Sequence, residues 1–199
     1  MIDSGKQAND MCEIDLSDYQ RQILKGHLVW IPEFISEIIY AECRYEESSV
    51  VTVNFNLAPE EPDSLHFYMT LGPEFPNSRR IEFMSVIDVN SAEVVRQLAH
   101  MSFVHHCEAE LCSGMTFEVS PELLEQGWGA TLLTGYAPLD EEYFPGSIHT
   151  SDFGDVTILY VTLLTLEEFS VKKEEGIDGL FEYWNANEVD VFSSRRAQR

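Results

Sequence analysis

His100, His105, His106 and Cys107, with Cys112 close behind, form the densest group of metal-ligating side chains in the chain. Two ligands on one helix face need a spacing of four, as in His-Glu-x-x-His. His100 stands five and six positions from the other two histidines, and the adjacent His105 and His106 point to different faces. The pattern fits a helix end with histidines beside its negative terminus better than it fits a zinc site. A metal-dependent enzyme using His105, His106 and Cys107 stays open on residue types alone. Nucleophilic catalysis needs a Ser or Cys beside a base that a third group orients. No Gly-x-Ser-x-Gly elbow is present, since Pro145-Gly146-Ser147-Ile148-His149 lacks the second glycine. Gly127-Trp128-Gly129 is too short for a phosphate-binding loop and lacks the following Gly-Lys. Glu174-Glu175 reads as solvated surface in so acidic a chain. The expectation is a protein that is not an enzyme, with no catalytic, cofactor-binding or metal-binding residues.

Interaction chemistry has better support. Asp140, Glu141, Glu142, Tyr143 and Phe144 mix acid with aromatics just before Pro145. A rim of carboxylates around an apolar anchor is a common layout where proteins meet. Burial of Tyr143 and Phe144 as a small satellite core under their own loop is the competing expectation.

Charge points the same way. Among 199 residues, 35 acidic against 12 basic side chains give a formal net charge of -23. The pI is near 4.4. A field of that sign repels phosphate backbones and anionic lipid surfaces, which argues against nucleic-acid and membrane partners. It steers basic partners inward, although acidity serves solubility equally well. Cys12, Cys43, Cys107 and Cys112 match no redox or zinc-knuckle spacing. The opening Met1–Lys6 carries no apolar export core, so a cytoplasmic location with free thiols is expected.

Apolar residues make up 44% of the chain and aromatics 12%, enough for the core of one domain. Residues 1–29 read as a lead-in with one short helix, started by a capping box at Ser17–Gln20 and running to about Gly26. Residues 30–199 read as the main domain. Strands are expected over Glu37–Glu46, Val50–Leu57, Leu65–Leu71 and Arg80–Val89. Val51, Val53, Phe55 and Leu57 share the buried face of a half-exposed strand. The short connections argue for antiparallel pairing. A helix follows over Ser91–Glu108, burying Val94, Leu98, Met101 and His105. Met115–Val119 forms a short strand and Pro121–Gln126 a short helix. Gly127–Leu139 is loop-like, with Ala130–Leu133 as its possible strand, and Pro138–Ser151 is an acidic loop. Val156–Leu164 is a strand buried on both faces. Thr165–Glu168 caps a helix that turns at Gly176 into a second one over Ile177–Asn187. Val189–Phe192 closes the chain as a strand.

The ordered series over 127–196 resembles the suppressor of fused family. It runs Trp128-Gly129, Gly135, Pro138-Leu139-Asp140, Phe153-Gly154-Asp155-Val156, Thr165 to Glu168, Gly176 with Leu180, and Asp190 with Arg195-Arg196. From Glu33 to Val119 only the order of elements aligns. The resemblance implies an α/β fold of the α+β type, a single domain whose mixed, mostly antiparallel sheet is covered by helices. It also implies a binding protein without catalysis. Animal members grip an extended peptide of a transcription factor, and bacterial relatives are similar to immunity proteins that neutralise toxins. The expected partner is therefore a protein, a basic toxin domain above all, with a peptide-binding regulator or scaffold as the alternative. The resemblance leaves the oligomeric state open.

Overall fold

A computed structural model describes residues 16–30, 37–45, 48–56, 65–72, 80–107, 109–135 and 146–198. It shows a mixed α/β domain built on one open, mostly antiparallel sheet. Ser17 and Gln20 form the expected reciprocal cap: the Gln20 N–H donates to Ser17 Oγ at 3.2 Å, and the Ser17 N–H to Gln20 Oε1 at 3.0 Å. The helix they start, α1 (Asp18–Trp30), runs through Gly26 instead of stopping there. Gly26 is a contact residue. A Cβ at that position would overlap the Ile148 side chain, so the missing side chain lets the helix lie close on the sheet.

Four strands then run as an antiparallel meander: β1 (Glu37–Tyr45), β2 (Ser48–Asn56), β3 (His66–Leu71) and β4 (Ile81–Ile87). Val51 and Val53 are buried as their alternation predicts. Thr52 and Asn54 on the opposite face are buried too, which corrects the half-exposed expectation for this strand. The cause is helix α2 (Ala92–Cys107), which packs across β1, β2, β3 and β4. Ser91 caps α2 by accepting the Val94 N–H at 3.3 Å, and Val94, Leu98, Met101 and His105 all face inward.

Beyond α2 come β5 (Thr116–Phe117) and helix α3 (Pro121–Glu125), whose cap Ser120 accepts from the Leu123 N–H. β6 (Trp128–Thr134) is a full strand, longer than the apolar centre Ala130–Leu133 suggests. The expected loop over 138–151 also holds a strand, β7 (Ser147–Thr150), which pairs with the start of β8 (Gly154–Thr165) and buries Ile148. Sheet order is β1-β2-β3-β4-β8-β6-β5, with β7 also paired to β8. Among the described residues only the β4–β8 pair, Ile81↔Thr157 to Met84↔Tyr160, is parallel.

β8 is the axis, and its two faces serve two cores. Val156, Ile158 and Tyr160 join the cluster under α1, with Tyr19, Ile23, Met69 and Met84. Leu159, Val161 and Leu163 join the cluster under α2, with Phe83, Leu98 and Trp128. That alternation explains why the whole run is apolar.

Thr165 and Glu168 form the second capping box and start α4 (Leu166–Ala186). Gly176, at φ 80° and ψ -168°, breaks α4 into two helical arms as the sequence predicts. The second arm packs Leu180, with Ile177, Phe181 and Trp184, on Leu132 and Leu164. Val189–Phe192 is not a strand. Asp190 Oδ1 accepts the Phe192 N–H at 3.1 Å, folding the segment into a turn before a single 3-10 turn, Ser194–Gln198.

Candidate functional site

The histidine group is built as structure. His100 is exposed and meets the Phe117 ring edge-on at 5.7 Å. His105 is buried, its Nδ1 3.0 Å from the Leu111 N–H that it accepts, and its ring edge-on to Phe83. The His106 ring lies 5.0 Å from that of His105, so the adjacent pair stays together instead of diverging. Burial, and then the charge His105 would carry, push His106 down to about 4. Cys112 is a half-buried free thiol, and the Cys107 side chain is outside the described set. Among the described residues no group of three or more His, Cys, Asp or Glu is placed to hold a metal ion.

A second polar cluster has no counterpart in the sequence reading. The β3–β4 ladder ends at Met69↔Met84, and beyond it the strands part. The Glu82 carboxyl fills the gap. It accepts from Thr70 Oγ1 at 2.6 Å, from the Gly72 N–H at 3.0 Å on each oxygen, and from the Tyr19 hydroxyl at 3.4 Å. The Phe83 N–H, which lacks its ladder partner, donates to Thr70 Oγ1 at 2.9 Å. Glu82 is fully enclosed, and burial pushes its carboxyl up to about 8, against hydrogen bonds from Thr70, Gly72 and Tyr19. The only sequence signal was an acid at an inward position between Ile81 and Phe83. Such residues in this chain are easily lost among 35 acids.

The partner-binding candidates Asp140, Glu141, Glu142, Tyr143 and Phe144 lie outside the described residues, as do Pro138 and Leu139. Their points of attachment are defined. Gly135 and Gly146 stand side by side, with the Gly135 carbonyl oxygen 3.3 Å from where a Gly146 Cβ would be. The Gly135 N–H donates to Ser113 Oγ at 3.0 Å, and the Gly146 carbonyl accepts the Ile158 N–H at 2.9 Å. β6 and β7 pair with successive parts of β8, Thr134 opposite Tyr160 and Ser147 opposite Thr157. Gly135 and Gly146, the described residues on either side of 136–145, thus end two strands that line up along one edge of β8. At the far side of the sheet, β1 pairs with β2 alone and leaves its outer backbone edge open among the described residues.

Several of the remaining signature residues meet around the end of β8. Arg196 spreads over the Trp128 ring at 5.3 Å and donates to Glu168, the Leu163 carbonyl and the Val191 carbonyl. Arg195 is exposed, and the second arginine of the pair is the one turned inward. Gly129 lies against Leu166 and the Thr165 carbonyl, Leu180 is buried, and Gly176 makes the break in α4. Gly154 starts β8 at φ 75°, and Phe153 stacks edge-on with Tyr19 at 5.2 Å. Asp190 makes the terminal turn.

Comparison with known proteins agrees with this arrangement. The chain is similar to a SUFU (suppressor of fused protein) homologue from Neisseria gonorrhoeae FA 1090, with a TM-score of 0.67 and 15% identity, over 89% of this chain and 94% of that one. It is also similar to a chain of the Sufu-Fu complex, with a TM-score of 0.57 and 11% identity, over 84% of each chain. At those identities the likeness is one of fold. No curated protein matches the sequence. The sequence profile of the family described as "Suppressor of fused protein (SUFU)" matches residues 49–197, three quarters of the chain. The chain belongs to the suppressor of fused family.

Proposed function

We propose that this protein is a non-enzymatic binding protein that neutralises a cationic toxin domain by forming a complex with it, as an immunity protein does. The observation that carries the reading is the net charge of -23 on a suppressor of fused fold. Opposite charge raises the encounter rate with a basic partner and disfavours acidic competitors. The Sufu-Fu complex is a precedent in which a protein of this fold engages another protein. Asp140, Glu141, Glu142, Tyr143 and Phe144 are the contact residues in this reading. The protein works in the bacterial cytoplasm, without cofactor, metal, nucleic acid or membrane. No described helix is long and apolar enough to cross a membrane.

Co-purification with the product of a neighbouring gene, at low and at high salt, tests the reading. A tight complex with a basic protein that weakens as salt rises is the expected result. A salt-insensitive complex with an acidic protein would overturn it.

A second reading rests on β1. Among the described residues its nine residues pair on one side only, which suits addition of an extended peptide strand by a regulator or scaffold. A peptide array answers it. Binding through the β1 edge, lost when a proline is placed within Glu37–Tyr45, supports strand addition over contact through 140–144.

A further inference from the structure

Helix α1 precedes the part of the chain that matches the family, yet it covers the β3 and β7 side of one face of the sheet. Leu16, Tyr19 and Ile23 close over Phe67, Met69, Leu71, Met84, Ile158 and Tyr160. Beside these apolar contacts the hold is polar and sits at one place. Gln20 Nε2 donates to the Leu71 carbonyl at 3.0 Å, and the Tyr19 hydroxyl reaches the Glu82 carboxyl at 3.4 Å. At the rim, Gln22 hydrogen-bonds Ser151 and Asp152 of the β7–β8 turn. α1 is therefore the lid of the space in which Glu82 is enclosed.

We propose that α1 is a displaceable cover, held shut while the Glu82 carboxyl is uncharged and released when that carboxyl ionises. The argument is one of position. Glu82 fills the break in the β3–β4 ladder, and among the described residues its oxygens accept from Thr70, Gly72 and Tyr19. Of the titratable groups around it, α1 brings Tyr19 and α2 brings His106, whose Nε2 lies 3.0 Å from where a Gly72 Cβ would be. Tyr160 is the titratable group on the neighbouring stretch of β8, and β3 supplies none from Thr70 to Gly72. No cation is among the causes that set the carboxyl's proton affinity. A carboxylate formed there has three donors and no counter-charge among the described residues, so its stabilisation requires water. Both helices join the sheet through side chains, but α2 lies across the four strands β1 to β4, whereas the shorter α1 lies on β3 and β7. Movement of α1 is the route that admits water at least cost. Burial places the transition near neutrality, since the carboxyl sits at about 8 when covered and near its ordinary 4.5 when hydrated.

Hydrogen exchange on the full chain between pH 6.5 and 9, corrected for the intrinsic pH dependence of exchange, tests the proposal. That window lies above the protonation of His106. Peptides from 18–30 are expected to lose protection by up to about tenfold per pH unit until pH 8 and then level off. Peptides from 157–165 should hold. Glu82→Gln should remove the pH dependence of the α1 peptides. The idea fails if α1 protection is constant with pH, if α1 and β8 peptides lose protection together, or if E82Q keeps the dependence. The unsubstituted protein decides the first two outcomes even if E82Q does not fold.

Discussion

One nitrogen of the Arg196 guanidinium lies 2.7 Å from both carboxylate oxygens of Glu168, and both side chains are more than nine-tenths buried. The second terminal nitrogen donates to the Leu163 and Val191 carbonyls. One side chain therefore ties the last turn of the chain to the end of β8 and the start of α4. Glu168 is at the same time the reciprocal partner in the Thr165 capping box.

Removing one partner of such a pair leaves the other charge buried. Arg196→Ala is expected to cost roughly 3–5 kcal/mol of stability. Arg195→Ala, at the exposed neighbour, should stay within about 0.5 kcal/mol. Urea unfolding of the two variants separates them. Equal losses would mean that the terminal turn is held by something other than this pair.

Gly127 and Gly154 both have positive φ, at 100° and 75°, but their surroundings differ. A Cβ on Gly127 would overlap the Ala197 carbonyl oxygen, while one on Gly154 meets nothing. Gly154→Ala should cost only the left-handed backbone, about 1 kcal/mol. Gly127→Ala must also push the terminal turn away, so a loss of several kcal/mol, on the order of 3 or more, is expected. Thermal unfolding in parallel would show whether the order holds.

Two buried groups set opposite slopes of stability with pH. Glu82 moves from 4.5 to about 8 on folding, so its contribution is full below 4.5 and is lost progressively as pH rises to 8. His106 moves from 6.5 to about 4, so its contribution is full above 6.5 and is lost as pH falls to 4. Between 4.5 and 6.5 the two slopes cancel. The melting temperature should therefore show a plateau near pH 4.5 to 6.5, with a decline on each side. E82Q should flatten the alkaline decline and H106N the acid one. A profile unchanged in both variants would show that neither group governs it.

Reversing charge over 140–142 tests the proposed contact. Asp140→Lys, Glu141→Lys and Glu142→Lys combined should slow association with a basic partner by at least about tenfold at low salt, with a smaller effect at high salt. The melting temperature should change little, because the two cores are built from other residues. Association measured by stopped flow at two salt concentrations gives the answer. An unchanged rate would move the contact elsewhere.

The features legible in the sequence are those whose cause is local. Ser17 with Gln20 and Thr165 with Glu168 announce their helices within four residues, and both boxes close as expected. The apolar run of β8 carries its own evidence of double burial. What escaped depends on distant partners. Gly26 looks like a helix stop until Ile148 is placed beside it, and β7 looks like loop until β8 pairs with it. Thr52 and Asn54 look exposed until α2 covers them. Val189–Phe192 has the composition of a strand, but the Asp190 side chain captures its backbone first. The sequence marks the Arg195–Arg196 pair, and only the fold tells which arginine turns inward. Glu82 was the least visible of all, because a buried acid looks like any other acid in a list of residues.

The parallel seam, β4 against β8, has a consequence for how this chain is made. During synthesis β1 to β4 emerge first and pair locally, but the free side of β4 must wait until β8 leaves the ribosome, with α2, β5, α3, β6 and β7 made in between. Over that interval an apolar strand with an open edge is presented to the cell, a state that favours aggregation or chaperone capture. Glu82 lies on that strand among Ile81, Phe83 and Met84. Before the sheet closes it is a hydrated, charged gatekeeper on a nascent edge. The same residue that strains the finished fold at alkaline pH thus helps keep the unfinished one in solution.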